Sequence, residues 1–465
     1  MNKKTAIIVG GGVAGLAAAV NLDELGYAVT LIEKKPILGG RTYSFTDKIT
    51  GEIIDNGQHL MVGAYHETLS LLERIGSKHK VRLMQPTRVP LYDGKMQRSE
   101  FYLGKIFPPL GLLKALMGLG GFSWSEKGQL IKLGLVVRGF KASQKALPSQ
   151  LTVNEWLKSL GQSERVRKEF WEVLTLATLN DSPEITSADS LVQVLLGSYF
   201  GGPLDGHLVL PQAGLSEIFA EPAKRYLEMR GHRVQTGLAL KEVKVLQGEV
   251  QGFLLSDGQL HKADLYVSAM PFRPLLQTLT PALRAHPAIR PVATFTSSPI
   301  ISINLFFDRP VMSDEFVGSS ATRVHWFFNR GKMCGLKTPL PRGEEVVSQR
   351  RAGEGAHHII GVISGAYDLL EADKSQLVQM AMQDLERINP HVRKAKLLHA
   401  LVNKEREATL SSRVGINAQR PEQRLLKNFF ILGDWTKTGL PATIESAAVS
   451  ARRMGTALCE QNAPR

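Results

Sequence analysis

A strand, a glycine-rich turn, a helix and a second strand within the first 33 residues, strand patterning that returns near Gly206, and a closing strand, turn and helix predict an α/β fold. The expected form is a Rossmann-like dinucleotide-binding domain assembled from discontinuous segments, residues 1–75, 205–290 and 395–465. Residues 76–204 and 291–394 are expected to form an α+β substrate domain with a mixed sheet and helices. At 465 residues the chain exceeds the roughly 250–300 at which a single core stops growing, which is why two lobes are expected.

Ala6–Val9 reads as a buried strand, Gly10–Gly15 as a tight turn, Leu16–Leu25 as a helix and Ala28–Ile32 as the next strand, a βαβ unit of minimal length. Phe101–Leu147 mixes apolar residues with Lys and Gly, and Val153–Leu196 has helical periodicity, so residues 76–204 are expected to be mostly helical. Short strands follow at Arg233–Thr236, Val243–Gln247, Glu249–Leu255 and Asp264–Ser268, divided by Gly248 and the Asp257-Gly258 turn. Ile300–Phe307 and His358–Ser364 read as long apolar strands and Lys374–Ile388 as a helix. Asn428–Gly433 reads as a strand that precedes a helix from Thr443.

Hydrophobic residues make up 43% and charged residues 22%, ordinary globular proportions that exclude long disorder and fibrous architectures. Cys334 and Cys459 stand far apart, which argues against a disulfide framework and a cysteine metal site, and no metal is expected. A formal charge of +14 points to an anionic partner such as a lipid surface, or simply to a solvated basic exterior. Neither interleaved aromatic and arginine clusters nor a binding module supports nucleic acid as that partner. Met1–Val20 imitates a secretory signal, but glycines interrupt the apolar run, Asn21, Asp23 and Glu24 follow at once, and no small-residue cleavage site is evident. With no run of about 20 uninterrupted apolar residues, a cytoplasmic protein with at most peripheral membrane contact is expected.

Gly10, Gly12 and Gly15 form G-x-G-x-x-G directly after a strand and before a helix, the context the fingerprint requires. The first glycine allows the turn and the third lets helix and strand pack closely. The second lets the backbone, including the amides of Val13 and Ala14, approach a pyrophosphate at the helix N-terminus. Glu33, next to Lys34, ends the following strand where a carboxylate can accept hydrogen bonds from an adenosine ribose. Gly39-Gly40-Arg41 can meet the same pyrophosphate from its other side. Far along the chain, a strand ending in Gly433-Asp434 offers a carboxylate to a polyol. Pro441-Ala442-Thr443 and Ser446 then open a helix whose N-terminus can stabilise negative charge.

Together the Gly10–Gly15 turn, Glu33, Gly39-Gly40-Arg41, the Ala263–Pro271 strand and Gly433-Asp434 resemble, in order across the whole chain, the flavin amine oxidase and phytoene desaturase superfamily. Asp55-Asn56-Gly57-Gln58-His59, Leu176–Asn180 with Ser187-Ala188, Leu210–Leu215 and Gly433–Thr436 resemble its squalene-associated branch, the hydroxysqualene dehydroxylases. The resemblance implies FAD, with Glu33 on the adenosine ribose, Asp434 on the ribityl chain and Val243 near the adenine. It also adds Gly57, Gln58, His59 and Ala269 to the cofactor contacts and places a mixed-sheet lobe over the isoalloxazine. No cysteine lies between Trp435 and Ser446, so non-covalent FAD is expected.

The branch resemblance implies replacement of an allylic hydroxyl on a long isoprenoid by hydride, giving squalene. Such a step needs a general acid, hydride from the reduced cofactor and a pocket dry enough that water does not recapture an allylic cation. His59 is the first candidate for the acid because it follows Gly57 and titrates near neutrality; Asn180 and Tyr65 are further candidates. Phe107–Leu119 and Leu130–Lys141 mix apolar and basic residues and are candidates for docking on anionic lipid, where such a substrate resides. The electron donor is not legible in the sequence. A carotenoid-type desaturase or saturase is the nearest alternative, and a protoporphyrinogen-type oxidase is another. A flavin amine oxidase fits less well, because Val292–Asp308 lacks the lysine that branch usually carries. A flavin-bearing scaffold without catalysis and a basic nucleic-acid binder are the readings from other classes.

Overall fold

Two sheets drawn from interleaved segments organise the chain. The computed structural model describes residues 3–105, 110–143, 146–335 and 357–462. The first sheet runs in the order Arg233–Thr236, Ala28–Glu33, Thr5–Val9, Leu265–Ser268, Phe429–Ile431 and Arg424–Leu426, parallel throughout except for the last pair. Its central strands are near-continuous apolar runs because both faces are covered. Ala6, Ile8, Leu31, Val267 and Phe430 pack beneath the helices Val13–Glu24 and Ile444–Asn462. The alternate residues Ile7, Val9, Ile32, Tyr266 and Phe429 pack instead with Leu240, Val250 and Phe253 of a small antiparallel sheet, Leu240–Leu246, Glu249–Leu255 and Leu260–His261.

The expected Gly10–Gly15 turn ends early, since the helix already begins at Val13 with Gly12 as its N-cap. A Cβ on Gly15 would come within 1.8 Å of the Gly10 carbonyl oxygen, so glycine in the first helical turn is what lets the helix start this close to the strand.

The second sheet has seven strands, in the order Leu397–Leu410, Ser297–Phe307, His357–Ser364, Trp326–Asn329, Phe316–Ser319, Thr87–Tyr92 and Arg98–Leu103. Ile301, Ile303, Leu305 and Phe307 pack with Leu377, Ala381 and Leu385 of the helix Lys374–Ile388. Strand alternation therefore turns Ile300, Ser302, Asn304 and Phe306 to the opposite face, where Ile300 lines the cavity described below.

Residues 76–204 depart from the mostly helical expectation at their start. Thr87–Tyr92 and Arg98–Leu103 form a hairpin on the edge of this sheet, and Thr87–Tyr92 pairs in parallel with the remote Phe316–Ser319. Short strands whose partner is distant in sequence leave little local signal, since packing across strands rather than intrinsic preference stabilises them. The remainder is helical. Leu110–Gly118, Trp124–Ser143, Val153–Ser159, Glu172–Leu179 and Ala188–Tyr199 share a core of Leu116, Leu130, Leu133, Trp156, Leu191 and Val192. Thr152 and Glu155 close a capping box at the start of Val153–Ser159. Among the described residues no helix is long and apolar enough to cross a membrane.

Candidate active site

A cavity of about 880 Å³ runs from the glycine turn, past the second sheet, into the helical layer. Of the cofactor residues read from the sequence, all but Gly15, Val243 and Ser446 line it, as do His59, Tyr65 and Asn180.

At the glycine end the helix Val13–Glu24 has no side-chain cap and no acidic residue in its first turn, so its leading amides face the cavity without an intrahelical acceptor. Two glycine loops meet there backbone to backbone: Gly39 N donates to Gly11 O at 2.8 Å, and a Cβ on Gly40 would fall 2.9 Å from Gly12 Cα. Glu33 is buried. Its Oε2 accepts from Gly11 N at 2.7 Å and its Oε1 from Lys35 N at 2.9 Å, which fixes the carboxylate at the rim of the groove. Arg41 donates to Asp434 Oδ1 and to the Ala408 carbonyl, both at 2.7 Å. Burial works against the charge of Arg41, but Asp434, Glu405 and Glu407 outweigh it and hold the guanidinium above its ordinary pKa. Gln58 keeps a buried Oε1 with no partner among the described residues. This set of donors and acceptors fits FAD: amides and a permanently charged arginine to donate to the diphosphate, and Glu33 to accept from the ribose.

Where the groove meets the second sheet, His59 Nδ1 lies 2.7 Å from the Gly57 carbonyl. A carbonyl only accepts, so Nδ1 carries the proton and Nε2 is the free acceptor of the neutral ring. Burial pulls the His59 pKa below its usual value; Gly57 and Asp55 act against that, and Arg41 acts with it. The imidazole is neutral at pH 7, so His59 suits orientation of a neighbour better than the acid role read from the sequence. Burial pushes Tyr65 to about 12, with a Thr443 hydrogen bond opposing and Glu445 reinforcing, so its phenol keeps its proton. Asn180 closes the helix Glu172–Leu179 in the left-handed region, φ 58, and its side chain joins Pro299 O, Thr409 Oγ1 and Gly365 N. Those partners make it a joint between segments.

Two sequence-read positions, Val243 and Ser446, are turned away from the groove by packing, while Gly15 keeps the packing role read for it. The Val243 side chain is fully buried between the first sheet and the small antiparallel sheet, and Ala239 and Leu240 line the groove in its stead. Gly15 acts through helix packing. Ser446 is buried in a polar knot with Thr438 Oγ1 at 2.7 Å and Arg420 at 3.1 Å. Arg420 itself escapes sequence reading: it donates to the Asp434 and Leu440 carbonyls, and burial lowers its pKa to about 10 against the pull of Asp434. Glu445 escapes it too. Its buried carboxylate accepts from Glu67 N and Thr68 N and caps the helix His66–Arg74, and burial raises its pKa despite those bonds.

Beyond His59 the walls become apolar. Leu116, Leu130, Leu133 and Val137 face Leu174 and Ala177, and Ile300, Phe316, Phe328 and Val362 supply the sheet side. Glu169, also on these walls, is paired with Arg165 at 3.0 Å. The strand Ser297–Phe307 brings Ser297 and Ile300 to the cavity and carries no lysine. Among the described residues no group of His, Cys, Asp or Glu is placed to hold a metal.

A parallel sheet, an uncapped helix behind G-x-G-x-x-G and a ribose-facing glutamate define a dinucleotide-binding oxidoreductase site. The chain belongs to the flavin containing amine oxidoreductase family, whose model matches residues 13–458. It is a flavin-dependent oxidoreductase, and its cofactor is FAD. The chain is 25% identical to a 15-cis-phytoene desaturase of Synechococcus elongatus over 470 residues, covering 96% of this chain and 94% of the relative. It is 22% identical to the tomato 15-cis-phytoene desaturase over 467 residues, covering 98% of this chain and 76% of that one. The fold matches the crystal structure of an oxidoreductase from Methanosarcina mazei with a TM-score of 0.73 at 17% identity, covering 98% of this chain and all of that one (100%).

Proposed function

We propose that the protein reduces a hydroxylated long isoprenoid, hydroxysqualene, to squalene. The observation that carries the reading is the continuity of the cavity: the cofactor groove opens directly into a chamber whose walls are largely aliphatic and aromatic and whose Glu169 is paired with Arg165. A long hydrocarbon gains from burial in such a chamber, and among the described residues the acid on the apolar walls, Glu169, is already paired with Arg165 and so offers a charged amine little. FAD supplies hydride exchange when bound. The chain's own residues hold and shield. Arg41 and the helix amides neutralise the diphosphate, the apolar walls keep water from the reacting carbon, and the neutral His59 ring and the protonated Tyr65 offer an acceptor and a donor at the junction. FAD is held non-covalently in this reading, and denatured protein releases its colour.

The two outer helices support a place of action at an anionic membrane surface. Leu130, Leu133 and Val137 line the chamber from within, while Leu110, Leu113, Trp124 and Leu135 are exposed outside alongside Lys114, Lys132, Arg138 and Lys141. Of the docking stretch Phe107–Leu119 read from the sequence, residues 107–109 lie outside the described residues.

A carotenoid desaturase is the second reading, favoured by relatives named as phytoene desaturases. Chemically reduced, FAD-loaded protein given hydroxysqualene, with oxidised protein given phytoene alongside, separates the two. Squalene in the first assay is the expected product; an unchanged alcohol with desaturated phytoene in the second overturns the proposal.

A further inference from the structure

The strand that ends in Glu33 and the strand that leads to Asp434 lie on opposite sides of Thr5–Val9 and Leu265–Ser268 in the first sheet. FAD carries its diphosphate between adenosine and isoalloxazine, so a ribose at Glu33 and a diphosphate over the glycine turn send the ring toward the Asp434 side. Two helix starts bound the groove there. Ala64 and Tyr65 lead into the helix His66–Arg74, Pro441–Thr443 lead into Ile444–Asn462, and all five residues line the cavity with Glu445. A helix start is a partial positive charge, which favours an anionic cofactor. Glu445 sets a full negative charge between the two. From the first turn of one helix its Oε1 accepts from Glu67 N at 2.9 Å, and its Oε2 accepts from Thr68 N at 2.9 Å and Thr68 Oγ1 at 2.7 Å, all in the first turn of the other.

Glu445 is buried, and among the described residues no cation pairs with it, whereas its neighbour Glu67 is paired with Arg452 at 2.9 Å. Every group bonded to its carboxylate is placed to donate, so the ionised form is the one the site is built to hold. A charge without a counter-charge in the interior acts over a distance that solvent would screen. We propose that Glu445 holds down the reduction potential of the bound FAD. Reduction adds two electrons and one proton, the content of one hydride, to a neutral isoalloxazine and leaves one negative charge on it. The Glu445 carboxylate opposes that charge through the protein, without contact, and offsets the pull of the two helix starts. The inference rests on FAD in the groove and deepens the reductive reading, because a lower potential makes the reduced cofactor a stronger hydride donor.

The test is the midpoint potential of FAD-loaded protein, titrated without oxygen against reference dyes, with FAD content and melting temperature measured in parallel. Glu445→Gln removes the charge and keeps an acceptor oxygen. Its reduced form is expected to gain about tenfold over the oxidised one, a rise of about 30 mV for two electrons. Glu445→Asp keeps the charge but shortens the arm that caps His66–Arg74, and its potential is expected to stay within about twofold of wild type on the same scale. A variant that loads FAD poorly is read from its dissociation constants for oxidised and for reduced FAD, whose ratio carries the same shift. An unchanged or lower potential in Glu445→Gln overturns the proposal. So does an equal rise in Glu445→Asp, which would make Glu445 a helix cap alone. Turnover is read separately: a raised potential in Glu445→Gln, with no squalene formed by wild type, supports this role of Glu445 and sinks the dehydroxylase reading.

Discussion

The two ends of the cavity are built by different means. The glycine end is made of backbone: amides of one helix start, two glycine loops in contact, and the Glu33 carboxylate, whose position is fixed by main-chain donors. The chamber is made of side-chain volume contributed by helices near residues 110–143 and 171–199 and by strands near 300–362. A backbone site needs particular residue types at fixed spacing, whereas a volume site accepts many apolar combinations. Mutations should therefore act in opposite ways at the two ends, by all-or-none loss at the first and by graded change at the second.

The largest effect is expected from Gly15→Val, because the first added carbon already meets the Gly10 carbonyl at 1.8 Å. A loss of more than about 4 kcal/mol in denaturant stability is predicted, together with loss of bound FAD. Next is Arg330→Met, midway between the ends. Arg330 and Asp55 form a buried pair at 2.8 Å, and Asp55 also receives Leu215 N and Ser44 Oγ beneath the Asn56–His59 segment. Stranding that carboxylate should cost about 3 kcal/mol, read as a lower denaturation midpoint.

The chamber side can be probed by pH through His325. Burial, with help from Arg323, lowers its pKa from 6.5 to about 4, and its Nδ1 accepts from Ser364 N. The folded value lies below the unfolded one, so the folded chain resists a proton that the unfolded chain takes up. The stabilisation is present above about pH 6.5 and fades as pH falls toward 4, by about 3 kcal/mol in all. His325→Asn should flatten that part of the stability profile.

Smaller effects follow at the walls. Leu133→Phe narrows the chamber without touching the groove, and we expect FAD content to hold while turnover of hydroxysqualene falls about tenfold. Trp124→Ser and Leu135→Ser, on the exposed helix face, should change stability by less than about 0.5 kcal/mol yet reduce flotation with anionic liposomes.

The same contrast explains what the sequence disclosed. Gly10, Gly12, Glu33, Gly39, Gly40 and Asp434 were legible because each position demands one residue type for a stated backbone or charge reason, and all of them line the groove. The strands Arg233–Thr236 and Glu249–Leu255 and the helix Lys374–Ile388 were legible from local periodicity. The hairpin of Thr87–Tyr92 and Arg98–Leu103 was missed although its own pairing is local; its attachment to the remote Phe316–Ser319 leaves no signal in the sequence. Arg420 and Glu445 act by hydrogen bonds to remote main-chain atoms, a role that no spacing rule announces. Val243 shows the converse: its register near the adenine was inferred from resemblance, and strand packing turned the side chain into the core.

A crystal structure of the FAD-loaded protein tests the central claim most directly. The account predicts the diphosphate over the amides of Gly12–Ala14, the ribose at Glu33, and the isoalloxazine at the junction beside His59 with one edge open to the apolar chamber. A flavin ring lodged elsewhere, with the chamber closed off from it, would contradict that account.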